Sequence, residues 1–133
     1  MGPQDLVDNL EVVIGHLRYA ETAPEIYTNV LGTLWQANVV VEQQGGRWIN
    51  TELDDAYSKF AALEHPDELP SDGHREQWRR ARNHVCQEAE DFAAKARNEY
   101  QSGSANIDAS SLDPLARATQ VMAYQLGEGI EIH

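Results

Sequence analysis

The sequence predicts an all-α fold, a single domain over residues 1–133 built as a bundle of four or five helices. Three observations predict it. Apolar residues recur at steps of three and four through most of the chain. Proline or a short polar residue heads most of these runs, and glycine or proline follows several of them. Sixteen alanines among 133 residues add strong helix formers.

The first helix is expected over Pro3–Ala20. Pro3 suits a first helical position, and Leu6, Leu10, Val13, Leu17 and Ala20 form its apolar stripe. Thr22 to Glu25 has the spacing of a capping box, with Pro24 in the first turn. The second helix then carries two adjacent stripes, Ile26–Val30–Leu34–Ala37–Val41 and Tyr27–Leu31–Trp35. A helix apolar over so much of its circumference belongs in the middle of a bundle. Its end admits two readings. The helix runs to about Gln44 with Gly45 or Gly46 as a left-handed cap, or residues 38–51 form a short β-hairpin turning at the glycines. The stripe continues through Val41, which favours the helix.

A third, short helix is expected from a box-like start at Thr51–Asp54 to about Glu64, with Leu53, Tyr57, Phe60 and Leu63 inward. Pro66–Gly73 reads as a polar loop. The fourth helix, about His74–Gln101, has the clearest stripe: Trp78, Ala81, Val85, Ala89, Phe92, Ala96 and Tyr100. At 1.5 Å per residue it is about 40 Å long. Asp113-Pro114 offers an N-cap and first-turn proline for a fifth helix, expected to stop at Gly127 and to leave an extended tail over Gly129–His133.

Composition narrows the function. The formal net charge is −12, which disfavours direct nucleic-acid binding. No apolar run approaches a membrane span, and no basic residue precedes Arg18 to start a signal peptide, so a cytoplasmic location is expected. The single cysteine, Cys86, excludes an intrachain disulfide framework and reads as a small buried hydrophobe. Residues 1–72 hold 13 acidic and 3 basic residues, a net of −10. Residues 73–133 hold 9 and 7, a net of −2. Six of the ten basic residues, Arg75, Arg79, Arg80, Arg82, Lys95 and Arg97, lie on the fourth helix. The bland reading of that layout is salt bridging between the fourth helix and the acidic ones. Arg75, Arg79, Arg80 and Arg82 also form a weak candidate anion site, because guanidinium forks suit phosphate and carboxylate.

Candidate chemistry is sparse. His84 and Glu88 share a helix face but supply two ligands where a metal site needs three or four. Two Glu-x-x-Asp spacings occur, Glu52–Asp55 and Glu88–Asp91. All-helical nucleotide pyrophosphohydrolases hold magnesium with carboxylates spaced in this way, although no doubled-glutamate partner motif precedes either pair here. Neither a nucleophile elbow nor a phosphate loop is present. No metal site or cofactor is assigned. Trp35 and Trp78 fall at core spacing, whereas Trp48 follows the Gly45-Gly46 turn and is the best single interface anchor.

The resulting expectation is a small acidic interaction module, inhibitor- or immunity-like or regulatory. It would bind a basic protein through Tyr27, Trp48, Glu52, Asp54, Asp55 and Tyr57, by steric occlusion with electrostatic steering. The alternative is a small metal-dependent helical enzyme acting on nucleotides, which requires Glu52, Asp55, Glu88 and Asp91 to converge. A homodimer through the fourth and fifth helices is compatible with the first reading.

Overall fold

In the computed structural model the element order is α1 (Pro3–Arg18), α2 (Ala23–Glu42), α3 (Thr51–Ala61), α4 (Asp72–Gln101), a 3-10 turn over Ala109–Leu112, and α5 (Asp113–Glu131). The structure describes residues 2–43, 46–63, 72–104 and 106–131, with side chains at all of these except 72–74 and 126–131. The described residues are helical or irregular and contain no strand, so the helical bundle is as predicted. No helix among them is long and apolar enough to cross a membrane.

Local chemistry accounts for most boundaries. The Gly2 N–H donates to the Asp5 carboxylate at 3.0 Å and Pro3 opens α1. The helix stops at Arg18, two residues before the expected end, because the chain tightens there. The Ala20 N–H donates to the Leu17 carbonyl at 3.1 Å, which buries Ala20. Thr22 caps α2: its Oγ1 accepts from the Glu25 N–H at 3.2 Å and donates to the Glu25 carboxylate at 2.8 Å. Gln43, with φ 72° and ψ −7°, is the left-handed C-cap of α2, in place of either glycine. The hairpin over 38–51 does not form; α2 continues through residue 42, and residues 46–50 ahead of α3 are irregular. Gly46, at φ 99°, supplies a turn that other residues adopt only with strain.

Asn50, not Thr51, caps α3, its Oδ1 accepting from the Leu53 N–H at 2.9 Å. A side-chain oxygen in the extended residue just ahead of the helix is the usual geometry of a cap. The helix ends at Ala61, three residues short of Glu64. Most of the expected 66–73 loop lies outside the described residues. Near the start of α5 the chain inserts the 3-10 turn, capped by Asp108, whose side chain accepts from the Ser110 N–H at 2.9 Å. Asp113 is therefore helical rather than an N-cap. Finally, α5 passes through Gly127 and Gly129 to Glu131. Glycine costs a helix about 1 kcal/mol without forbidding it, and no proline follows to stop the run. The expected extended tail is thus helical as far as residue 131, and residues 132–133 lie outside the described part.

The helices pack in the cyclic order α1–α2–α3–α5–α4, with α2 also crossing to α4. Trp78, Phe60, Leu10, Leu34, Leu53 and Met122 are among the largest side chains sealed inside. Trp35 departs from the expected core position: its stripe runs along the edge of α2 that meets α3, and the indole is 37% exposed.

Several polar side chains tie elements to distant main chain. Tyr27 Oη donates to the Ala61 carbonyl at 2.8 Å, and Tyr100 Oη to that of Val40 at 2.6 Å. Asn50 Nδ2 donates to the Ala109 carbonyl at 2.7 Å and to Asp113 Oδ1 at 2.7 Å. Arg82 is buried and donates to the Ala20 carbonyl at 2.6 Å.

Candidate functional site

The seam between α2 and α3 gathers most of the aromatic side chains that the sequence nominates. Asn38 is fully buried on α2. Its Nδ2 donates to the Arg47 carbonyl at 2.6 Å and its Oδ1 accepts from the Ile49 N–H at 2.9 Å. One amide thus fixes both sides of residue 48 and lays Trp48 along the seam. The Trp48 ring meets Trp35 edge-on at 5.2 Å and 72°, and Tyr57 at 4.8 Å and 48°. These spacings suit attractive aromatic pairs. Tyr27 lies further along, stacked on Phe60 at 5.4 Å.

On α3, Leu53, Ala56 and Phe60 face the core. Tyr57 and Asp54 flank them on the seam side, both half-buried. Asp55 is exposed. Glu52 stands about 160° around the helix from Asp54. It faces α5, where Arg117 approaches at 3.8 Å and Gln120 donates to the Glu52 carbonyl at 3.3 Å. The structure therefore groups Tyr27, Trp48, Tyr57 and Asp54 on one seam, with Asp55 on the outer surface of α3 and Glu52 on the opposite flank. Trp35 joins the seam, and the core spacing of its stripe had masked it. Asn38 was also missed; the signal was an amide inside an otherwise apolar run, which needs partners when buried.

Charge is divided between faces. Arg97 pairs with Asp8 at 2.6 Å and with Glu11. Arg18 pairs with Glu90. These hydrogen-bonded carboxylates raise both guanidinium pKa values further above their ordinary range. Arg79 reaches Glu21 at 3.4 Å and Arg82 reaches it at 3.9 Å. Arg79 and Arg80 also meet Glu76, at 3.9 and 3.6 Å. The salt bridging expected of the fourth helix is present, and it falls on α1, the α1–α2 turn and α4 itself. Asp54 and Asp55 have no ion pair among the described residues.

The candidate anion cluster is split by the same geometry. Arg82 is turned inward beneath the α1–α2 turn, Arg79 and Arg80 are engaged with carboxylates, and Arg75 is exposed. The carboxylate pairs do not share a site. Glu52 belongs to α3 and leans to α5, whereas Glu88 meets His84 at 3.6 Å on α4 and Asp91 accepts from Gln87 at 3.0 Å. Among the described residues, no three metal-ligating side chains come together. Glu88 and Asp91 instead line a groove of about 260 Å³ with Lys95, Ser110 and Ser111. Cys86 is buried, and burial pushes its thiol up to about 11, as suits an inert core cysteine. Comparison with protein-family models, curated proteins and solved structures finds no match to this chain.

Proposed function

We propose that this chain is a non-enzymatic interaction module of the cytoplasm that binds a basic protein through the α2–α3 seam. It would act as an inhibitor, immunity protein or regulator does, by covering a functional surface of its partner. One observation carries the reading. Arg79, Arg80, Arg82 and Arg97 of α4 are engaged with carboxylates of α1, the α1–α2 turn and α4, while Asp54, which has no ion pair among the described residues, stands beside the Trp35–Trp48–Tyr57 cluster, with Asp55, likewise without one, on the adjacent outer surface of α3. Aromatic side chains dominate interface energetics, and unpaired carboxylates around them steer a basic partner.

The test uses the full chain as bait in host lysate, at low and at high salt, beside the variant Trp48→Ala/Asp54→Lys/Asp55→Lys. A basic protein held by the wild type, weakened by salt and lost with the variant is the expected result. With the partner purified, charge reversal at 54 and 55 should slow association about tenfold. Recovery of the same proteins by both baits would refute the assignment.

A further inference from the structure

The aromatic cluster on the α2–α3 seam is closed between its rings and open to solvent along its outside. Trp35 and Trp48 lie 5.2 Å apart and Trp48 and Tyr57 4.8 Å apart, centroid to centroid. Rings this close touch one another, so no side chain enters between them. A cage that surrounds an ammonium needs a cation-sized gap between its rings, and these rings leave none. What they offer is outer surface: Trp35 is 37% exposed, and Trp48 and Tyr57 are half-buried. The Asn38 amide already fixes the chain on both sides of Trp48, so little ordering is left for the moment of contact.

Asp54 supplies the charge beside these rings. It lies three residues before Tyr57 on α3, about 60° around the helix, so the carboxylate and the phenol are neighbours on one face. Asp54 is half-buried and has no ion pair among the described residues. The exposed cations nearest to it in the chain, Arg47 and Lys59, leave it unpaired. Lys59 stands about 160° around α3 from Tyr57, on the far side of the helix. Arg47, next to Trp48 in the chain, partly offsets the field of Asp54 and Asp55 at a distance, so contact geometry decides which cation is taken.

That geometry separates the two basic side chains. A lysine ammonium is a compact point charge, held by a cage or by a carboxylate alone. A guanidinium is flat. Laid on a ring it stacks, while its N–H groups point outward in its own plane, where a carboxylate at the rim of the ring accepts two of them. Exposed ring surface with an unpaired carboxylate about one helical turn away is that arrangement. We propose that the partner's anchor on the seam is an arginine, stacked on the outer surface of the Trp35–Trp48–Tyr57 cluster with its fork on Asp54. The inference rests on the seam being the docking surface and adds which side chain docks there.

The full chain, titrated at low salt with end-blocked hexa-arginine and with end-blocked hexa-lysine, tests it by calorimetry and by tryptophan emission. Hexa-arginine should bind about fivefold more tightly than hexa-lysine and should change the emission. Asp54→Asn should bring the two affinities together. Asp91→Asn removes the same charge from an exposed position on α4 and should leave their ratio as it is. Equal affinities with a change in emission would overturn the arginine anchor and leave the seam as a site for cations in general. A ratio unchanged by Asp54→Asn, or lowered alike by both variants, would also overturn it, because the preference would then belong to the acidic surface at large. An emission indifferent to both peptides would overturn the seam reading itself, and the anchor with it.

Discussion

Replacing Asn38 with alanine is the most searching test of how the α2–α3 seam is built. The side chain is fully buried and both ends of its amide are engaged, at 2.6 and 2.9 Å. Alanine removes two hydrogen bonds, each worth about 1 kcal/mol net. It also strips the Arg47 carbonyl and the half-buried Ile49 N–H of their buried partner, which adds about 1 kcal/mol. The expected loss is about 3 kcal/mol. With about 2.1 cal/mol/K of unfolding entropy per residue, that lowers the melting temperature by about 10 °C. Urea unfolding followed by circular dichroism gives the loss directly. Tryptophan emission should shift to the red, because Trp48 is released from Trp35 and Tyr57. Asn38→Asp keeps the acceptor for Ile49 but turns a carboxylate toward the Arg47 carbonyl, so it should be at least as damaging as alanine. A loss below about 1 kcal/mol with unchanged emission would refute the reasoning, since the loop would then hold its place without the amide.

Two further outcomes follow from buried polar groups. Arg82→Met keeps most of the side-chain volume but deletes the bond to the Ala20 carbonyl, and should cost about 2 kcal/mol in urea unfolding, whereas a cost under about 0.5 kcal/mol would show that the buried guanidinium is idle. The thiol of Cys86 is raised from 9.0 to about 11 by burial, so the folded state favours its neutral form. The resulting stabilisation is present in full below about pH 9 and is lost as pH rises toward about 11, up to about 3 kcal/mol in all. The stability of wild type relative to Cys86→Ala should therefore fall across that window, and parallel pH profiles would contradict it.

The helices were legible because a stripe such as Trp78–Val85–Ala89–Phe92–Ala96 repeats its signal many times over thirty residues. Chain ends within the fold rest on single residues, and there the reading failed. Gln43 takes the left-handed position although glycines follow close behind, because the preceding turn is already closed by the Gln43 N–H on the Val39 carbonyl. Asn50 and Thr51 are both good caps, and only the path of the chain chooses between them. Gly127 and Gly129 weaken a helix without ending it. The seam was half legible: Trp48, Tyr57 and Asp54 come together, but helical phase sends Glu52 to the other flank. Trp35 and Trp78 share a core-like spacing and differ only in which neighbour arrives to cover them, which is tertiary information. The pairing of Arg79 and Arg97 with distant acids followed from charge segregation, whereas the pairing of Arg18 on α1 with Glu90 on α4 runs against it, and the inward turn of Arg82 required the position of the Ala20 carbonyl.

The links made by Tyr27, Asn38, Asn50, Arg82 and Tyr100 share an asymmetry with a consequence for sequence drift. Each donor is a particular side chain, and, apart from the second Asn50 bond to Asp113 Oδ1, the acceptors are the carbonyls of Ala61, Arg47, Ala109, Ala20 and Val40. A carbonyl is present whatever side chain occupies the position. Substitution at the receiving residue therefore keeps the bond so long as the new side chain fits, and Arg47, being exposed, accepts nearly any replacement. Substitution at the sending residue breaks it. Divergent copies of this chain should hold the five donors still while their acceptors wander, so that neither member of a linked pair reveals the other by changing in step.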